Sequence, residues 1–456
     1  MVKNLFASNK KPILIFTIVF LMELLTIFVL SRINGTEIFF RGDGRDYQNL
    51  ANNLIYHKTF AITPNPPYLP TSFRTPIYPL WLAFIYLIFK SYNVAVFIGA
   101  FIFALSAPIV YFIGKEIFSE KIAVIGAIIF GLEPWALYQS GFLAAEQIFM
   151  PFFLLSIYLF CRYLKTGTAR NIYSAAAILG IAALIRPAAL FFIVIYIYLA
   201  FVFEFKYSFL RSLKISALIF LIFIAVLTPW FIRNKIVLNS WQFSSASGIR
   251  IFGDYIMLEK YIGKTESKER VDIYEEARKI LGVNSDVEAI TMVENSKKLT
   301  IIASNGIKDN FGLFLKMYFR NIALFFFKNS YGNIFFDFGV KDSNIQSMVG
   351  DYLNQLEISK ILQTLIKTSF GAKILLVLTF FWPLAALLSI IGILKLFQKS
   401  YRNLLYWFLV LWIGYFPFLV AWGDISRYRL AIHAPLFLLS TFAVFIIWSH
   451  FKYVDN

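Results

Sequence analysis

The sequence predicts an all-α polytopic membrane protein, in which about ten transmembrane helices form one bundle with short exoplasmic helices and a small exoplasmic excursion. Three observations predict this class. Of the 456 residues, 59% are hydrophobic and only 15% are charged, unlike a soluble domain. Apolar runs long enough to cross a bilayer recur along the chain. Lys and Arg flank these runs and form no basic block, so membrane phosphates, and not nucleic acid, explain the net charge of +17.

The apolar runs define the predicted spans in order. The first, 12–30, is longer than a signal-peptide core and lacks a small-residue cleavage site, so we expect an uncleaved span. The fifth and sixth runs are barely separated, and the Arg186-Pro187 turn between them is either an exoplasmic corner or a kink in one long helix. After the first, the predicted spans are 93–114, 121–140, 143–161, 171–185, 188–205, 213–231, 373–396, 403–421 and 434–450.

Basic residues predict which side of the membrane each loop occupies. Short cytoplasmic loops carry the excess of Lys and Arg, and the N-terminal tail is lysine-rich here. Both termini are therefore predicted to be cytoplasmic in a cell membrane (the cytoplasmic or inner membrane). The predicted cytoplasmic loops are 115–121, 162–170, 206–214 and 395–402. The predicted exoplasmic segments are 32–92, 232–371 and 422–433.

This threading divides the chain into three parts. An N-terminal transmembrane module, 1–231, contains the first exoplasmic loop, 32–92. An exoplasmic cap with interfacial helices follows at 232–371, and residues 372–456 form a C-terminal three-helix segment. Within the cap, 254–300 mixes charges with apolar residues at helical spacing, which predicts small helices.

The apolar run 311–327 in the cap is long enough to suggest another span. Lys316 and Arg320 lie near its centre, where each would cost about 2.5–3.5 kcal/mol on insertion scales. We therefore expect an aromatic-rich helix that lies in the membrane interface.

Cysteine and histidine use argues against two kinds of site. The single cysteine, Cys161, excludes an intramolecular disulfide. The three histidines, at positions 57, 433 and 450, lack metal-ligand spacing, so no zinc site is predicted.

Two acids, Asp43 and Asp46, open the first exoplasmic loop. Apolar residues then follow at helical spacing, which predicts an amphipathic helix over 43–56. Capping explains both acids, with Asp43 as N-cap and Asp46 favourable to the helix dipole. The functional alternative is a general base beside a lipid-facing groove. Spacing alone favours capping for Asp46.

The motifs of this loop resemble those of a known group of enzymes. The residues are Asp43, Tyr47 and A-x-N-L at 51–54, followed by F-R-T-P-I-Y-P at 73–79. They resemble the opening loop of the bacterial protein O-mannosyltransferase-like and aminoarabinose (lipid A) transferase-like membrane glycosyltransferases of the GT-C fold. Similar landmarks follow in family order: Glu146 in A-A-E-Q-I-F, A-A-L-I-R-P at 182–187, T-P-W-F-I-R-N at 228–234 and S-R-Y-R-L-A-I at 426–432.

The chain also departs from the family pattern. Thr75 and Ala431 stand where the family usually has proline, and Ala145 stands where it has serine. Asp46 has no fixed counterpart, so only Asp43 inherits the catalytic role from the resemblance, and Asp46 and Glu146 are candidate supporting acids. Some members carry an Asp-Glu pair in this loop and this chain does not, which leaves metal dependence open.

The resemblance implies transfer of a sugar from a polyprenyl-phosphate donor to a lipid, glycan or protein acceptor on the exoplasmic face. The anomeric carbon is inverted, and Asp43 deprotonates the acceptor. No certain cofactor is implied. If a divalent metal binds, Asp43 and Glu146 are its expected ligands.

The leaving lipid phosphate needs fixed cations, for which guanidinium groups are well suited. For each arginine, the alternative is a side chain that snorkels to the interface. The R-Y-R pair argues against that alternative, because two neighbouring cations repel each other without an anionic partner. Glu146 is read as a cation ligand, a partner of an arginine or a helix N-terminal acid. The candidate phosphate-binding residues are Arg74, Arg233, Arg427 and Arg429.

Two other functions share this hydropathy. A transporter or lipid flippase would place ionisable residues near the midplane of repeated halves, whereas here the charges cluster at the outer ends of spans. A non-catalytic scaffold would leave the Asp43 loop and the arginines without a task. The sequence therefore favours an enzyme that works at the membrane surface.

Overall fold

The computed structural model describes residues 10–263, 272–285, 292–327, 330–341, 367–419 and 425–454, with single positions at 345, 348, 360, 363 and 364. Every regular element within these residues is helical. The N-terminal helices are α1 (Lys10–Asn34), α2 (Gly44–His57), α3 (Ile77–Phe89), α4 (Asn93–Ala104), α5 (Ser106–Ile117), α6 (Glu120–Leu132), α7 (Pro134–Ser140), α8 (Glu146–Thr166), α9 (Ala169–Ile185), α10 (Ile193–Phe205) and α11 (Phe209–Leu238).

The remaining helices fall in the predicted cap and in the C-terminal segment. The cap contains α12 (Ala246–Tyr261), α13 (Ile273–Leu281), α14 (Val293–Asp309), α15 (Phe311–Phe327) and α16 (Tyr331–Asp337). The C-terminal segment contains α17 (Phe370–Thr379), α18 (Phe381–Ser400), α19 (Leu404–Leu419), α20 (Ile425–Arg429) and α21 (His433–Val454). The small helices expected within 254–300 and the helix expected over 311–327 are confirmed as helices.

Among the described residues, seven helical runs are long and apolar enough to cross a membrane. An eighth is the pair α6 and α7, which is bent by 54°. The predicted span 171–185 forms α9, which has 17 residues. Helix α19 covers 404–419 of the predicted span 403–421, whose last two residues lie outside the described residues. About ten spans were expected, and the described residues contain seven or eight of full length. The seven are Lys10–Asn34, Asn93–Ile117, Glu146–Thr166, Pro187–Phe205, Phe209–Leu238, Phe370–Ser400 and Arg427–His450.

Two proline-directed breaks shape the part of the bundle near the predicted exoplasmic loop. Pro134 occupies the first turn of α7, and the backbone of Glu133 before it is extended. Glu133 Oε2 accepts a hydrogen bond from the amide of Ala136 over 2.9 Å and so caps the helix. Arg186 is extended before Pro187, so α9 ends at Ile185. The Arg186-Pro187 turn is therefore a corner and not a kink within one helix.

Helix α8 forms the centre of the bundle. It packs along α9 and contacts α4 and α5, and it is the most deeply buried of the candidate spans. The C-terminal helix α21 packs against α18 and α6. This arrangement brings the start of α8 and the segment before α21 to the same end of the bundle as α2.

We expect the loops to face the sides that the charge pattern predicts. Cys161 is the single cysteine of the sequence, so a Cys161→Ala background carries no thiol. In that background a cysteine at the exposed position Lys279 should react with an impermeant maleimide from outside the cell. A cysteine at the exposed position Gln398 should react only after the membrane is opened. The reverse labelling pattern would contradict the topology.

Candidate active site

Arg427 links the first loop to the start of α8. Its Nη2 donates a hydrogen bond to Asp43 Oδ2 over 2.9 Å, and its Nε donates to Glu146 Oε1 over 2.7 Å. Bonds between charged partners are stronger than neutral ones. One guanidinium therefore holds together two carboxylates that the sequence analysis selected separately.

Arg74 links the two acids of the loop. Its Nη2 donates to Asp43 Oδ1 and to Asp46 Oδ2, each over 2.7 Å. Its guanidinium also lies 5.3 Å from the ring centroid of Tyr47. Asp43 occupies the N-cap position of α2, yet its side chain makes no capping hydrogen bond. The capping interpretation of Asp43 is wrong, because arginines occupy both of its carboxylate oxygens.

Arg186 completes the arrangement with an ion pair to Glu146. Its guanidinium lies 5.4 Å from the ring centroid of Tyr428. The side chain of Glu146 is only 2% exposed, whereas that of Asp46 is 34% exposed, so one end of the arrangement is buried and the other is open. We call these residues the Asp43 cluster: Asp43, Asp46, Arg74, Glu146, Arg186 and Arg427.

The two acids of the loop differ in their electrostatics. Burial would raise the pKa of Asp43, but Arg74 and Arg427 outweigh it and hold that pKa well below its usual range. For Asp46 burial dominates over the effect of Arg74, and its pKa is raised. Burial also raises the pKa of Tyr47 to about 12, so the phenol stays protonated. Asp43 is therefore ionised at neutral pH.

Close backbone packing brings Asp43 near Glu146. The amide of Leu143 donates to the carbonyl of Phe39 over 2.8 Å, which joins the first loop to the turn before α8. Gly44 lies in this contact, where a Cβ would come within 3.2 Å of the Phe39 carbonyl oxygen. A glycine at the start of α2 thus allows the approach.

A threonine hydroxyl brings Arg74 near Arg186. Thr75 Oγ1 donates to the carbonyl of Ile185, the last residue of α9, over 2.8 Å. On the other side, Ser244 Oγ donates to the carbonyl of Phe73 over 2.9 Å. Thr75, one of the departures from the family pattern, therefore anchors the arginine loop.

Thr75→Val is expected to lower the free energy of unfolding by about 1–3 kcal/mol, because it leaves a buried carbonyl without its donor at nearly constant volume. Thermal unfolding of the purified protein measures the change. Thr63→Val is the control, since the Thr63 hydroxyl bonds in an exposed loop. Equal stability of the two variants would contradict an anchoring role for Thr75.

Two predicted phosphate ligands lie outside the Asp43 cluster. Arg429 is buried, donates to the carbonyl of Phe325 over 2.9 Å and lies 3.8 Å from the ring centroid of Trp382. Residues two apart in a helix point in roughly opposite directions, so Arg427 faces the cluster and Arg429 does not. The repulsion expected within R-Y-R is thus relieved by separation and not by a shared anion.

Arg233 is likewise engaged elsewhere. Its Nη1 donates to the carbonyl of Thr71 and to Asn234 Oδ1, and its guanidinium lies 5.0 Å from the ring centroid of Trp230. The structure therefore brings four of the predicted residues into one cluster with Glu146, namely Asp43, Asp46, Arg74 and Arg427. It adds Arg186 to this cluster. The signal for Arg186 was its place before proline in A-A-L-I-R-P.

The expected metal ligands, Asp43 and Glu146, already share a cation. Arg427 lies between their carboxylates and bonds both. Within the described part of the chain, no group of three or more His, Cys, Asp or Glu side chains could hold a metal ion. The residues present do not fit a divalent ion, because a guanidinium occupies the position between the two carboxylates.

Two cavities adjoin the cluster. One, with a volume of only about 10 Å³, has Glu146, Arg186 and Arg427 in its charged lining. Its apolar lining consists of Phe149, Met150, Ala188, Phe416 and Ala431. The other, of about 160 Å³, is lined by Asp43 and Arg427 and by residues of α7 and the turn that follows it. Arg427 therefore lines both cavities.

Comparison with known proteins supports the fold. Residues 73–232 match the family model described as dolichyl-phosphate-mannose-protein mannosyltransferase. A search of curated proteins found no significant match. The crystal structure of the Archaeoglobus fulgidus oligosaccharyltransferase in its apo form is similar over 99% of this chain, with a TM-score of 0.53 and 13% sequence identity.

The match to the archaeal structure covers 52% of that protein, so the chain spans about half the length of the oligosaccharyltransferase that it resembles. At this identity the likeness establishes the fold, and the family match covers less than half of the chain. The chain is a multi-pass membrane protein with a GT-C fold, and its residues 73–232 carry the sequence pattern of the dolichyl-phosphate-mannose-protein mannosyltransferases.

Proposed function

We propose that this protein is a membrane glycosyltransferase that transfers a sugar from a polyprenyl-phosphate donor to an acceptor on the exoplasmic face of the cell membrane. The observation that carries the proposal is the ionised Asp43 held by Arg74 and Arg427 beside two cavities. The family match over 73–232 and the GT-C fold support the same reaction class.

In this proposal the donor phosphate binds at the arginines of the cluster. The smaller cavity places the guanidinium groups of Arg186 and Arg427 beside apolar residues, along which the first prenyl unit of the donor would lie. Arg74 lies on the other side of Asp43 and approaches the same anion from the first loop. Guanidinium groups bind phosphate oxygens in bidentate geometry and stay charged as the leaving group forms. Arg429 and Arg233 have packing roles.

Asp43 acts as the general base in an inverting displacement. It accepts the proton of the acceptor hydroxyl or amine while the acceptor atom attacks the anomeric carbon. The bond between that carbon and the phosphate oxygen breaks, and the polyprenyl phosphate leaves with the bonding electron pair. The new negative charge on the phosphate is stabilised by the arginines.

The cluster links donor binding to the basicity of Asp43. Without donor, Arg74 and Arg427 lower the pKa of Asp43 and make it a weak base. A phosphate that pairs with these guanidinium groups offsets their positive charge, so the pKa of Asp43 rises toward its usual range. A stronger base is then present only when the leaving group is in place.

This link predicts a difference between two pH profiles. Asp43 must be ionised to accept a proton, so activity falls as the pH decreases through its pKa. The profile of kcat/KM reports the free enzyme, and that of kcat reports the donor complex. We expect the acidic limb of kcat to lie at higher pH than that of kcat/KM. Coinciding limbs, or limbs in the reverse order, would contradict the link.

Reconstitution tests the proposed function. Proteoliposomes are supplied with radiolabelled polyprenyl-phosphate mannose, glucose or N-acetylglucosamine and with extracts of cell-envelope lipids, glycans and proteins. A glycosyltransferase yields label that is covalently attached to an acceptor and released polyprenyl phosphate. A flippase moves the labelled lipid between leaflets without forming a product, and a scaffold does neither. Either of the last two results would overturn the proposal.

A further inference from the structure

Helix α12 of the cap contacts both segments that supply arginines to the Asp43 cluster from the two ends of the chain. Just before this helix, Ser244 Oγ donates to the carbonyl of Phe73, directly before Arg74, over 2.9 Å. Within the first two turns of α12, Arg250 contacts α20, the helix that carries Arg427. One element of the cap therefore touches the arginine loop and the helix of the R-Y-R motif.

Arg250 bonds two segments at once. Its Nη1 donates to the hydroxyl of Tyr428 over 3.2 Å, and its Nη2 donates to the carbonyl of Leu419 over 3.2 Å. The Leu419 carbonyl lies at the C-terminal end of α19, where carbonyls lack helical partners and a cation is favourable. Arg250 therefore joins α12 of the cap to the end of α19 and to α20.

The ring of Tyr428 contacts two guanidinium groups. That of Arg250 lies 5.1 Å and that of Arg186 lies 5.4 Å from the ring centroid. Cations at such distances are attracted to an aromatic ring. Arg186 in turn forms an ion pair with Glu146. Tyr428 therefore connects an arginine of the cap with an arginine of the Asp43 cluster.

Helix α20 depends on such contacts because it is only five residues long, Ile425–Arg429. Most of its backbone groups are terminal, and so short a helix is not stable by itself. Arg427 bonds the carboxylates of the cluster. Of the two residues that follow it, Tyr428 contacts α12, and Arg429 donates to the carbonyl of Phe325 in α15 over 2.9 Å. Contacts with the cap therefore decide where Arg427 lies.

We propose that Arg250 is a positioning residue for the transfer reaction, which fixes α20 through Tyr428 and so holds Arg427 in the Asp43 cluster. The inference rests on the proposed function for the ligand of Arg427, the phosphate of the donor. The hold of Arg250 on α20 can be measured without donor. The cap then supports the phosphate site, because it keeps the cation of Arg427 in place.

Hydrogen exchange of the full-length protein in detergent, without ligand, measures whether Arg250 holds α20. Arg250→Met keeps an unbranched chain and removes the guanidinium, so the amides of 425–432 should exchange at least roughly tenfold faster. Arg320→Met is the matched control, because Arg320 is also an arginine of the cap beside a tyrosine ring, that of Tyr261 at 5.9 Å. Its exchange at 425–432 should equal that of the wild type. Unchanged exchange in Arg250→Met would overturn the proposal.

Binding of polyprenyl phosphate measures the consequence for the site. Arg250→Met should weaken it roughly tenfold, and Arg320→Met should leave it unchanged. Arg250→Lys should recover part of the loss, because lysine keeps the charge and loses the fork that bonds two oxygens. In the Arg427→Ala background, Arg250→Met should cost less than about threefold. An equal loss in both backgrounds would mean that Arg250 acts independently of Arg427, which would refute the positioning role.

Tyr428→Phe is a milder variant that perturbs the same contact. It keeps the ring and removes the hydroxyl that accepts the hydrogen bond from Arg250. Exchange at 425–432 should rise and lipid binding should weaken, each by less than in Arg250→Met. Wild-type exchange and affinity in Tyr428→Phe would contradict the proposal even if Arg250→Met fails to fold.

The two assays separate this inference from the proposed function. If the wild type does not bind polyprenyl phosphate, the proposed function fails, whereas exchange at 425–432 still decides whether Arg250 holds α20. If the wild type binds the lipid and Arg250→Met binds it equally well, the proposed function stands and the positioning role is overturned.

Discussion

Asp43→Asn is expected to reduce turnover by at least roughly 10²-fold, because a neutral amide cannot accept the acceptor's proton. Asparagine keeps the size of the side chain, and Arg427 keeps its bond to Glu146. Donor affinity should therefore change little. The measurement is single-turnover transfer from a radiolabelled polyprenyl-phosphate sugar, with donor binding measured separately by tryptophan fluorescence.

Asp46→Asn is the matched control for this experiment. Asp46 shares Arg74 with Asp43, but its side chain is more exposed than that of Asp43. Its substitution should cost less activity than that of Asp43. Wild-type turnover in Asp43→Asn, with the variant folded and inserted, would remove the general base from this mechanism and point to Asp46 or Glu146.

Arg427→Ala is expected to weaken donor binding by roughly ten- to a hundredfold, since a hydrogen bond between charged groups contributes about 1.5–3 kcal/mol. Its loss also leaves Asp43 and Glu146 without their shared cation, and these carboxylates then repel the donor phosphate. Arg427→Lys should rescue binding only in part, because lysine keeps the charge and loses the forked geometry. Titration with polyprenyl phosphate in detergent measures the affinity.

Arg233→Gln controls for the loss of a positive charge near the membrane surface. Arg233 bonds the carbonyl of Thr71 and does not contact the Asp43 cluster. The donor affinity of the Arg233→Gln variant should match that of the wild type. An equal loss in Arg427→Ala and Arg233→Gln would mean that the phosphate responds to general charge. Unchanged affinity in Arg427→Ala would move the phosphate site to Arg74 and Arg186.

The sequence predicted the helices better than the number of spans. Each apolar run forms a helix, because hydrophobic length and periodicity act locally. The run 171–185 forms a helix of 17 residues, at the lower limit for a span, and run 121–140 is bent at Glu133 before Pro134. The proline directs that break, but the bend depends on how the two halves pack against α1 and α8.

The candidate site was predictable in part. Asp43, Arg74, Glu146 and Arg427 stand in motifs, and the structure brings them into contact. The choice between Arg427 and Arg429 was not predictable, because both flank one tyrosine and both fit a phosphate. Only the packing of α20 decides which guanidinium meets Asp43 and which one is buried against Trp382.

The sequence by itself determined that the chain is a helical membrane protein, which segments are apolar, and that an acid and an arginine-proline motif share its first loop. Tertiary structure alone decided the ionic partners and the cavities. Asp43 and Arg427 are 384 positions apart, and the Phe39–Leu143 and Thr75–Ile185 hydrogen bonds set their surroundings. Composition and periodicity act within one helix, whereas such contacts depend on how separate helices pack, which no local pattern specifies.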